Sequence, residues 1–471
     1  MPALNLLGPA YQNDSLPVSA QDTVNWIPEI VQAEGRNRVY FRGVPGAVSF
    51  ASLSGAGRGA IVAGDVAYIV MGTKAYRLDA DGTATELGTV PGNGFVGMGA
   101  NRTQVVIVNG DAGYIITLAD DSFEEITDED FGSPATTTFI NNYMAFEGVN
   151  GGVAAGTKGI FYVSDLNDAS AYTATSFATA QSDPDDVVAV ASIQNVLFVF
   201  GTRTTEQWVD IGASGFPLAV SQGQTLTEGC GAKYSIQPFD NTLAWLDQDG
   251  VVRIYRDAIA QRVSTHAIEQ DIQAVDFSQC TSWQYRDKGH WYYGLQLPNG
   301  KTFVYDAAFQ QWHRRKSYQV DRWCMAVVFR AYNKLIGLDY ADGTVWELSD
   351  SYYTEGDDPL IAERMTQYIH ANQSPMFLQS LELVFDTGNA ALTGDPEQTQ
   401  PVVEMRYSDD FGRTFSDFRQ RSLGLTGQYA KAIRFHGLGR FINRLFHIRV
   451  SDPVKRDWVA AEARATTGFR A

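Results

Sequence analysis

Short apolar runs separated by turn residues make up most of the chain, and residues 59–87 give the first clear example. Runs at 59–63, 66–70, 75–78 and 83–87 are each four or five residues long. Runs of this length, bounded by Gly, Asp and Asn, are typical of β-strands. Their apolar positions are continuous, which indicates inner strands covered on both faces. This stretch therefore predicts the four strands of one sheet.

The same layout recurs along the chain, and each unit carries a glycine where its central hairpin turn is expected. These turn glycines are Gly72, Gly110, Gly156, Gly201, Gly250, Gly300 and Gly343. The first and the last are 271 residues apart over six intervals, so the period is about 45 residues, which is typical of propeller blades. We predict a seven-bladed β-propeller, with six or eight blades as alternatives. An open solenoid is the other possibility, but no capping repeat supports it.

The rhythm changes after Tyr353, and Glu355-Gly356-Asp357-Asp358-Pro359 is the predicted linker. Further strands at spacings typical of a sandwich follow it, at 376–386, 402–408, 431–435 and 446–450. We therefore predict an all-β chain of four parts: an extended N-terminal arm at 1–45, a propeller at 46–354, a β-sandwich at 355–463 and a tail at 464–471. The arm can complete a terminal blade or add a strand to the sandwich.

Charge narrows the range of functions. The 471 residues carry a formal net charge of −18, which speaks against a sequence-reading DNA binder. It does not exclude a surface past which DNA slides, because an acidic wall repels phosphate. Residues 404–458 differ from the rest, with eleven Lys or Arg against six Asp or Glu. We expect this basic region to dock on an acidic neighbour.

The N-terminal residues and the cysteines bear on where the protein is found and on whether it contains disulfides or zinc. The first eleven residues lack the basic start and apolar core of a signal peptide, and no apolar run approaches the length of a membrane span. We expect the protein to stay in the cytoplasm unless a larger assembly carries it out. Cys230, Cys280 and Cys324 are too few and too scattered for a disulfide framework or a zinc site, so we expect buried, reduced thiols.

One local motif suggests chemistry. Ser408, Asp410, Gly412, Thr414 and Phe415 fit the Asp-box pattern, which resembles the sialidase propellers and raises the hypothesis of a glycosidase. The box is a hairpin in which the aspartate accepts backbone hydrogen bonds and the glycine allows an unusual dihedral angle. It occurs once and lies outside the seven repeats, so we predict a structural role.

The remaining candidate motifs predict no active site. The Asp-rich turns at 79–82, 247–250 and 342–343 stop before the late carboxylate that a calcium loop needs. The glycines at 55–59 precede no helix that would receive a phosphate. Cys280 and His290 lack a third polar partner for a nucleophile. We therefore predict no catalytic, cofactor-binding or metal-binding residues.

Several passages carry a family resemblance. They are Leu16-Pro17, the stretch Val-Asn-Trp-Ile-Pro-Glu at 24–29, Gly-Val-Pro-Gly at 43–46, Tyr-Ser-Asp-Asp at 407–410, and 440–445. Together with the order of arm, repeats and basic sandwich, they resemble the tail hub proteins of short-tailed bacteriophages, also called packaged-DNA stabilisation proteins. The likeness spans nearly the whole chain.

The resemblance implies a structural protein of the virion tail, without enzymatic activity and assembled in the host cytoplasm. Six copies would form a ring below the portal and its adaptor, or head-completion, protein. That ring would retain the packaged DNA, be closed by a tail needle or plug, and lie beside the tailspikes. Double-stranded DNA would pass through it without sequence recognition. The alternative is a glycan-binding or sialidase-like propeller that acts at the host surface.

Overall fold

Seven four-stranded antiparallel units follow one another along the part of the chain that the structure describes, and we call them blades 1 to 7; blades 1 to 5 are separate sheets, whereas blades 6 and 7 belong to larger sheets of ten and six strands. The computed structural model describes residues 6, 12–13, 15–30, 39–148, 159–213, 215–371 and 374–467. The innermost strands of most successive blades contact one another, including those of blades 7 and 1, and blades 4 and 5 share a buried apolar cluster, so the blades surround a common axis. The predicted fold, a seven-bladed propeller followed by a β-sandwich, is confirmed.

The strands of the blades are short, as the apolar runs predicted. Blades 1 to 4 consist of Gly57–Ala63, Val66–Met71, Lys74–Leu78 and Ala84–Thr89; Gly97–Ala100, Gln104–Val108, Gly113–Thr117 and Phe123–Glu125; Thr137–Ile140, Tyr143–Gly148, Ile160–Val163 and Phe177–Thr179; and Val187–Ile193, Val196–Gly201, Thr205–Asp210 and Leu218–Val220. Blades 5 to 7 consist of Gln237–Phe239, Thr242–Leu246, Val252–Arg256 and Ile259–Arg262; Thr281–Asp287, His290–Gln296, Thr302–Asp306 and Gln311–Arg315; and Met325–Ala331, Lys334–Asp339, Thr344–Ser349 and Gly46–Ser52.

Helices are few among the described residues. An α-helix, His266–Gln273, lies between blades 5 and 6, and a single turn, Pro396–Thr399, lies in the sandwich. Two 3-10 turns span Lys233–Ser235 and Phe277–Gln279. Within this part of the chain, no helix has the length and apolar character needed to cross a membrane.

The N-terminal region closes the propeller. Gly46–Ser52 is the outer strand of blade 7 and pairs antiparallel with Thr344–Ser349, so that Ala47 lies opposite Leu348. The first and last parts of the propeller are thereby held in one sheet, which a linear array of blades could not achieve. The closed ring buries the inner edge of every blade.

The sandwich consists of two sheets, and the described part of the extended arm contributes to both. The first sheet contains Trp26–Ile30, Val39–Gly43, Trp458–Thr467, Met376–Phe385, Ile433–His436 and Arg440–Phe441. The second contains Asp22–Val24, Ala362–Met365, Ile369–His370, Asn443–Val450, Val402–Ser408 and Arg419–Ser422. Between the sheets, the rings of Trp26, Phe41, Phe385 and Trp458 pack together with centroids 5.7 to 6.4 Å apart.

The structure differs from the sequence-based expectations at two boundaries. The predicted linker is a small hairpin, Thr354–Glu355 with Asp358–Pro359, that extends the sheet of blade 7. Glu355 is buried there and accepts a hydrogen bond from Trp323 Nε1 at 2.9 Å. The tail expected from residue 464 begins inside the strand Trp458–Thr467, which pairs along its length with Met376–Phe385. Residues 468–471 lie outside the described part.

Candidate functional site

The Asp box forms the hairpin between Val402–Ser408 and Arg419–Ser422. Asp410 Oδ1 accepts hydrogen bonds from the amides of Arg413 and Thr414, and Oδ2 accepts one from the Thr414 hydroxyl at 2.6 Å. Ser408 Oγ donates to Asp410 Oδ1 and accepts from the amide of Gly412, whose φ is +81°. The Thr414 hydroxyl and amide hold the pKa of Asp410 well below its usual range. Both carboxylate oxygens are occupied inside the turn.

The aromatic residue of the box packs against basic side chains of the second sheet. The Arg406 guanidinium lies 4.4 Å from the centroid of Phe415 and 4.5 Å from that of Phe418. The His447 ring lies 5.9 Å from Phe415. On the other side of the box, Arg444 makes two hydrogen bonds of 2.6 Å with Asp409. These contacts anchor a hairpin on a sheet, and they leave no carboxylate of the box facing an open cleft.

Five of the predicted turn glycines lie in the turn between the second and third strands of their blades. Their φ values are +53° for Gly72, +90° for Gly110, +76° for Gly250, +99° for Gly300 and +87° for Gly343. This left-handed region costs a glycine little. Gly156 lies outside the described residues.

Gly201 corrects the prediction for blade 4, because it is the last residue of the second strand and not part of the turn. A Cβ there would lie 2.3 Å from Asp185 Oδ2. That carboxylate accepts hydrogen bonds from the amides of Arg203 and Thr204 at 2.7 and 3.1 Å. Glycine is needed at this position for close approach, not for a turn.

The carboxylates of the Asp-rich turns accept hydrogen bonds from backbone amides of the same turns. Asp247 Oδ1 accepts from the amides of Asp249 and Val251, both at 2.9 Å, while Oδ2 lies 2.7 Å from Arg253 Nε. Asp339 Oδ1 accepts from the amides after it in the same way. Among the described residues, no three His, Cys, Asp or Glu side chains are placed to hold a metal ion.

The three cysteines are free thiols. Burial raises the pKa of Cys230 and of Cys280 to about 12, so neither is a thiolate near neutral pH. His290 is engaged elsewhere, because its Nδ1 lies 2.8 Å from the buried carboxylate of Asp306. That hydrogen bond raises the pKa of His290. Cys280 and His290 therefore form no nucleophile and base.

The tunnel along the propeller axis is narrow and crossed by side chains. Residues from the inner strands of all seven blades line a cavity of about 330 Å³. Phe95, which precedes blade 2, meets Tyr234, which precedes blade 5, with ring centroids 5.8 Å apart. With these two rings in contact across it, the tunnel leaves no passage for a DNA duplex.

Propeller and sandwich meet at a junction whose polar side chains are buried. We define the junction by Asn25, Arg42, Arg315, Arg364 and Arg456, each at most 7% exposed. Arg456 Nη2 donates to the carbonyl of Tyr353 at 2.9 Å, and Nη1 donates to that of Leu360. Burial lowers the pKa of Arg364 and of Arg456 to about 10. Both remain cationic at neutral pH, so they require polar partners, which for Arg364 are Thr23 Oγ1 and Gln21 Oε1 of the arm.

Arg42 connects the arm to blades 6 and 7. Its guanidinium lies 3.1 Å from Asp350, 3.4 Å from Asp287 and 3.4 Å from Glu29, and Nη2 donates to Tyr292 Oη at 3.3 Å. Burial works against the charge, but these neighbours outweigh it and raise the pKa of Arg42. One arm residue thereby contacts the ends of two blades.

Asn25 completes the junction. Its φ is +55°, a conformation that Asn tolerates better than most residues. Its side-chain amide donates to the carbonyls of Lys316 and Ile361 at 2.8 Å, and its Oδ1 accepts from the amide of Lys316 at 3.1 Å. Beside it, Trp26 Nε1 donates to the carbonyl of Arg456 at 2.9 Å. Together these bonds fix one orientation between propeller and sandwich.

Sequence reasoning did not identify the junction residues as a group. Trp26 packs in the core of the chain's own sandwich. The arginines look like surface residues in the sequence, since Arg315 and Arg456 lie next to other basic residues, Arg314, Lys316 and Lys455. The signal that could have pointed to them is the position of Asn25 and Arg42 inside the short, mainly apolar stretches 24–27 and 39–44.

Family models match both domains. A family model described as bacteriophage P22 Gp10, beta-propeller, matches residues 8–352, and one described as bacteriophage P22 Gp10, beta-sandwich, matches residues 361–466. The tail hub protein gp10 of Salmonella phage P22 is 27% identical over 341 residues, which is 66% of this chain and 67% of that protein.

Solved structures resemble the chain more distantly. The β-propeller domain of Cps50 (Swd1) from Myceliophteria thermophila is 8% identical with a TM-score of 0.43, and the match covers 65% of this chain and 100% of that one. BamB from Moraxella catarrhalis is 12% identical with a TM-score of 0.36, covering 70% and 98%. The extracellular domain of BT4673 from B. thetaiotaomicron is 11% identical with a TM-score of 0.43. The match to it covers 74% of this chain and 45% of that one, so this chain spans less than half of its length.

Proposed function

The chain belongs to the family of bacteriophage P22 Gp10, and we propose that it is a structural tail hub protein of a short-tailed phage. In this proposal six copies form a ring in the virion tail, below the portal and its adaptor. The ring retains packaged DNA, continues the channel through which the genome leaves, and docks the needle or plug and the tailspikes. The protein has no enzymatic role and is assembled in the host cytoplasm.

The observation that carries this proposal is the match of both family models to a chain whose two domains are held together as one body. Domains move relative to each other unless their interface is large and well packed, and at this junction Ile27, Val44 and Leu360 pack on the propeller. Here the junction buries four arginines and a central asparagine, each with defined partners. A protein whose two domains keep a fixed relative orientation suits the wall of a channel that contains DNA under pressure.

The closed tunnel supports a particular route for the DNA. Because Phe95 and Tyr234 meet across the propeller axis, we propose that the passage lies between copies and not through each copy. A net charge of −18 suits such a wall, since like charge keeps phosphates from adhering. The same charge disfavours a protein that grips DNA by phosphate contacts.

Two experiments test the proposal. Mass photometry and two-dimensional class averages of the purified protein are expected to show sixfold rings. Phage particles made without the protein are expected to package DNA and then lose it, as measured by nuclease-accessible genome. A stable monomer that is absent from purified virions would contradict the proposal. Turnover of sialylated or other glycan substrates would favour the glycan-cleaving alternative instead.

A further inference from the structure

One edge of the sandwich carries arginines that its own carboxylates do not neutralise. We call Arg419, Arg421, Arg434 and Arg440 the basic edge; they lie where the two sheets meet. In the described part of the chain, only Arg434 of these four forms a salt bridge, with Glu382 at 2.7 Å. The edge therefore presents at least three uncompensated positive charges.

Hydrogen bonds to the backbone hold the basic edge in place. Arg419 Nη1 donates to the carbonyls of His436 and Gly437 at 3.0 and 3.4 Å, and Arg421 Nε donates to the carbonyl of Arg434 at 3.0 Å. These bonds bridge the two sheets and restrict the side chains. Less conformational entropy is therefore lost when the edge binds a partner.

Exposed apolar side chains lie beside the basic edge. Phe377 pairs with Arg440 across neighbouring strands and is 44% exposed, and Ile442 is 47% exposed. Arginine and aromatic residues are enriched in the centres of protein interfaces, where lysine is depleted. The composition of this edge thus fits a protein partner.

The opposite charge is concentrated in blades 2 and 3. Residues 103–186 contain fourteen Asp or Glu and a single basic residue, Lys158. We call this region the acidic sector; its exposed carboxylates include Asp111, Asp120, Glu124, Glu125 and Glu129. Glu124 and Glu125 lie on the outer strand of blade 2, which is the edge of that blade farthest from the axis. The sector faces outward from the propeller.

The fold keeps the two surfaces apart. The sandwich is attached to blade 6, through the parallel pairing of Val24 with Arg314, and to blade 7, through the hairpin at Glu355. Blades 2 and 3 are the two blades farthest from blade 6 around the ring. No salt bridge joins the acidic sector to the sandwich within the described residues. One copy therefore cannot satisfy both surfaces by itself.

We propose that the basic edge of one copy docks on the acidic sector of the next copy. The two surfaces differ, so the contact is head-to-tail, and repetition of such a contact generates a ring when the rotation closes. Charge complementarity fixes the register and suppresses the wrong pairing of like surfaces. This inference rests on the proposed function, because it names the contact by which the ring assembles.

Charge reversal on each side tests the contact. R419E/R421E and E124R/E125R are each expected to shift the mass-photometry peak from ring to monomer, with at least a tenfold loss of ring at a fixed protein concentration. Mixing the two variants, or combining all four substitutions in one chain, is expected to restore rings. Raising NaCl is expected to weaken the wild-type ring, because salt screens exposed charges.

The control R102E/R330E applies the same charge change to exposed arginines outside the basic edge and is expected to leave rings intact. Thermal melts by circular dichroism verify that each variant is folded. Wild-type protein without rings would overturn the proposed function and this contact with it. Rings that survive both reversals would overturn the contact alone, as would folded variants whose rings the combination fails to restore.

Discussion

The contacts between blades and the contact between propeller and sandwich are built from different chemistry. Between blades 4 and 5, Phe200 packs on Trp245 with ring centroids 5.4 Å apart, and the surrounding cluster is apolar. At the junction, Arg456 and Arg364 are buried with hydrogen bonds to carbonyl, hydroxyl and amide oxygens. Apolar side chains of the arm, such as Ile27 and Val44, also pack on the propeller at the junction, but there they are joined by directional bonds from several buried cations.

The difference follows from how often each contact occurs. Each blade is held by a neighbour on both sides, so ring closure fixes its position and non-directional burial is enough. The sandwich meets the propeller once, and apolar area alone would permit several orientations. Charged hydrogen bonds to fixed oxygens select one of them. Rigidity between the domains is therefore encoded in a few buried cations.

Removing one of these cations gives the largest expected effect. Arg456→Ala leaves the carbonyls of Tyr353 and Leu360 without their donor. Hydrogen bonds to a charged donor are worth about 1.5–3 kcal/mol each, so we expect the free energy of unfolding to fall by about 3–5 kcal/mol. Urea unfolding followed by tryptophan fluorescence measures the loss. We also expect calorimetry to separate into two transitions, because the domains lose their coupling.

Arg456→Lys is the matched variant, since it keeps the charge but cannot reach both carbonyls with a fixed fork of donors. It should lie between Arg456→Ala and the wild type. An Arg456→Ala protein that unfolds in one transition at an unchanged midpoint would show that apolar area holds the junction.

Glu147 is an exception among the blades, because it is a buried ionisable side chain in a mainly apolar setting. Its side chain in blade 3 is fully buried, and the amides of Ala135 and Thr136 donate to it. Burial nevertheless raises its pKa to about 7 from an ordinary 4.5. The folded protein therefore holds this proton more tightly than the unfolded chain. The free energy of unfolding falls as pH rises from about 4.5 to 7, by up to about 1.4 kcal/mol per pH unit.

Glu147→Gln removes the titration while keeping the size of the side chain. The difference in stability between wild type and variant is expected to change by about 3 kcal/mol between pH 4.5 and 8, in the variant's favour at high pH. Chemical denaturation at four pH values measures it. A difference that stays flat with pH would show that the carboxylate remains ionised, held by its amide donors.

His313 is a buried histidine of blade 6, close to the junction arginines Arg42 and Arg315. Burial, with Arg315 and Arg42 nearby, lowers its pKa to about 3. Below pH 6.5 this histidine is protonated in the unfolded chain but stays neutral in the folded protein, so acid lowers the free energy of unfolding. At pH 5 the free energy of unfolding is lower by about 2 kcal/mol. The sign is opposite to that of Glu147.

His313→Leu is expected to remove this part of the acid sensitivity, because neither ring nitrogen has a hydrogen-bond partner among the described residues. Unfolding midpoints at pH 7 and pH 5 give the measurement. His266→Leu is the control, since the His266 side chain is 76% exposed. Equal acid sensitivity in wild type and His313→Leu would place the titrating group elsewhere.

The blades were predictable from the sequence because their signal is local and repeated. The turn between the first and second strands is repeated even more regularly, although the spacing of the glycines did not point to it. In six of the seven blades of the described chain, both residues of this turn have positive φ. The second residue is Asp65, Asn142, Asn195, Asn241, Gly289 or Asn333. All are residues that tolerate this conformation, so their spacing carried the information.

The junction was not predictable in the same way, because its partners are far apart in sequence. Trp26 and Arg456 are separated by 430 residues. The strand Trp458–Thr467 was missed for a related reason. Its Ala, Glu and Arg residues favour a helix by propensity, but pairing with Met376–Phe385 on one side and Val39–Gly43 on the other fixes a strand. Tertiary contacts decided both cases.

The smallest expected effect comes from replacing an exposed arginine, and not a buried one, by alanine. Arg434 is an arginine with a carboxylate partner, as Arg42 is, but its side chain is 55% exposed. Exposed ion pairs contribute about 0.2–1 kcal/mol, so Arg434→Ala should lower the free energy of unfolding by less than about 1 kcal/mol. In 1 M NaCl the difference from wild type should vanish, because the screening length falls to about 3 Å. A loss comparable to that of Arg456→Ala would mean that burial is not what distinguishes the junction arginines from those of the basic edge.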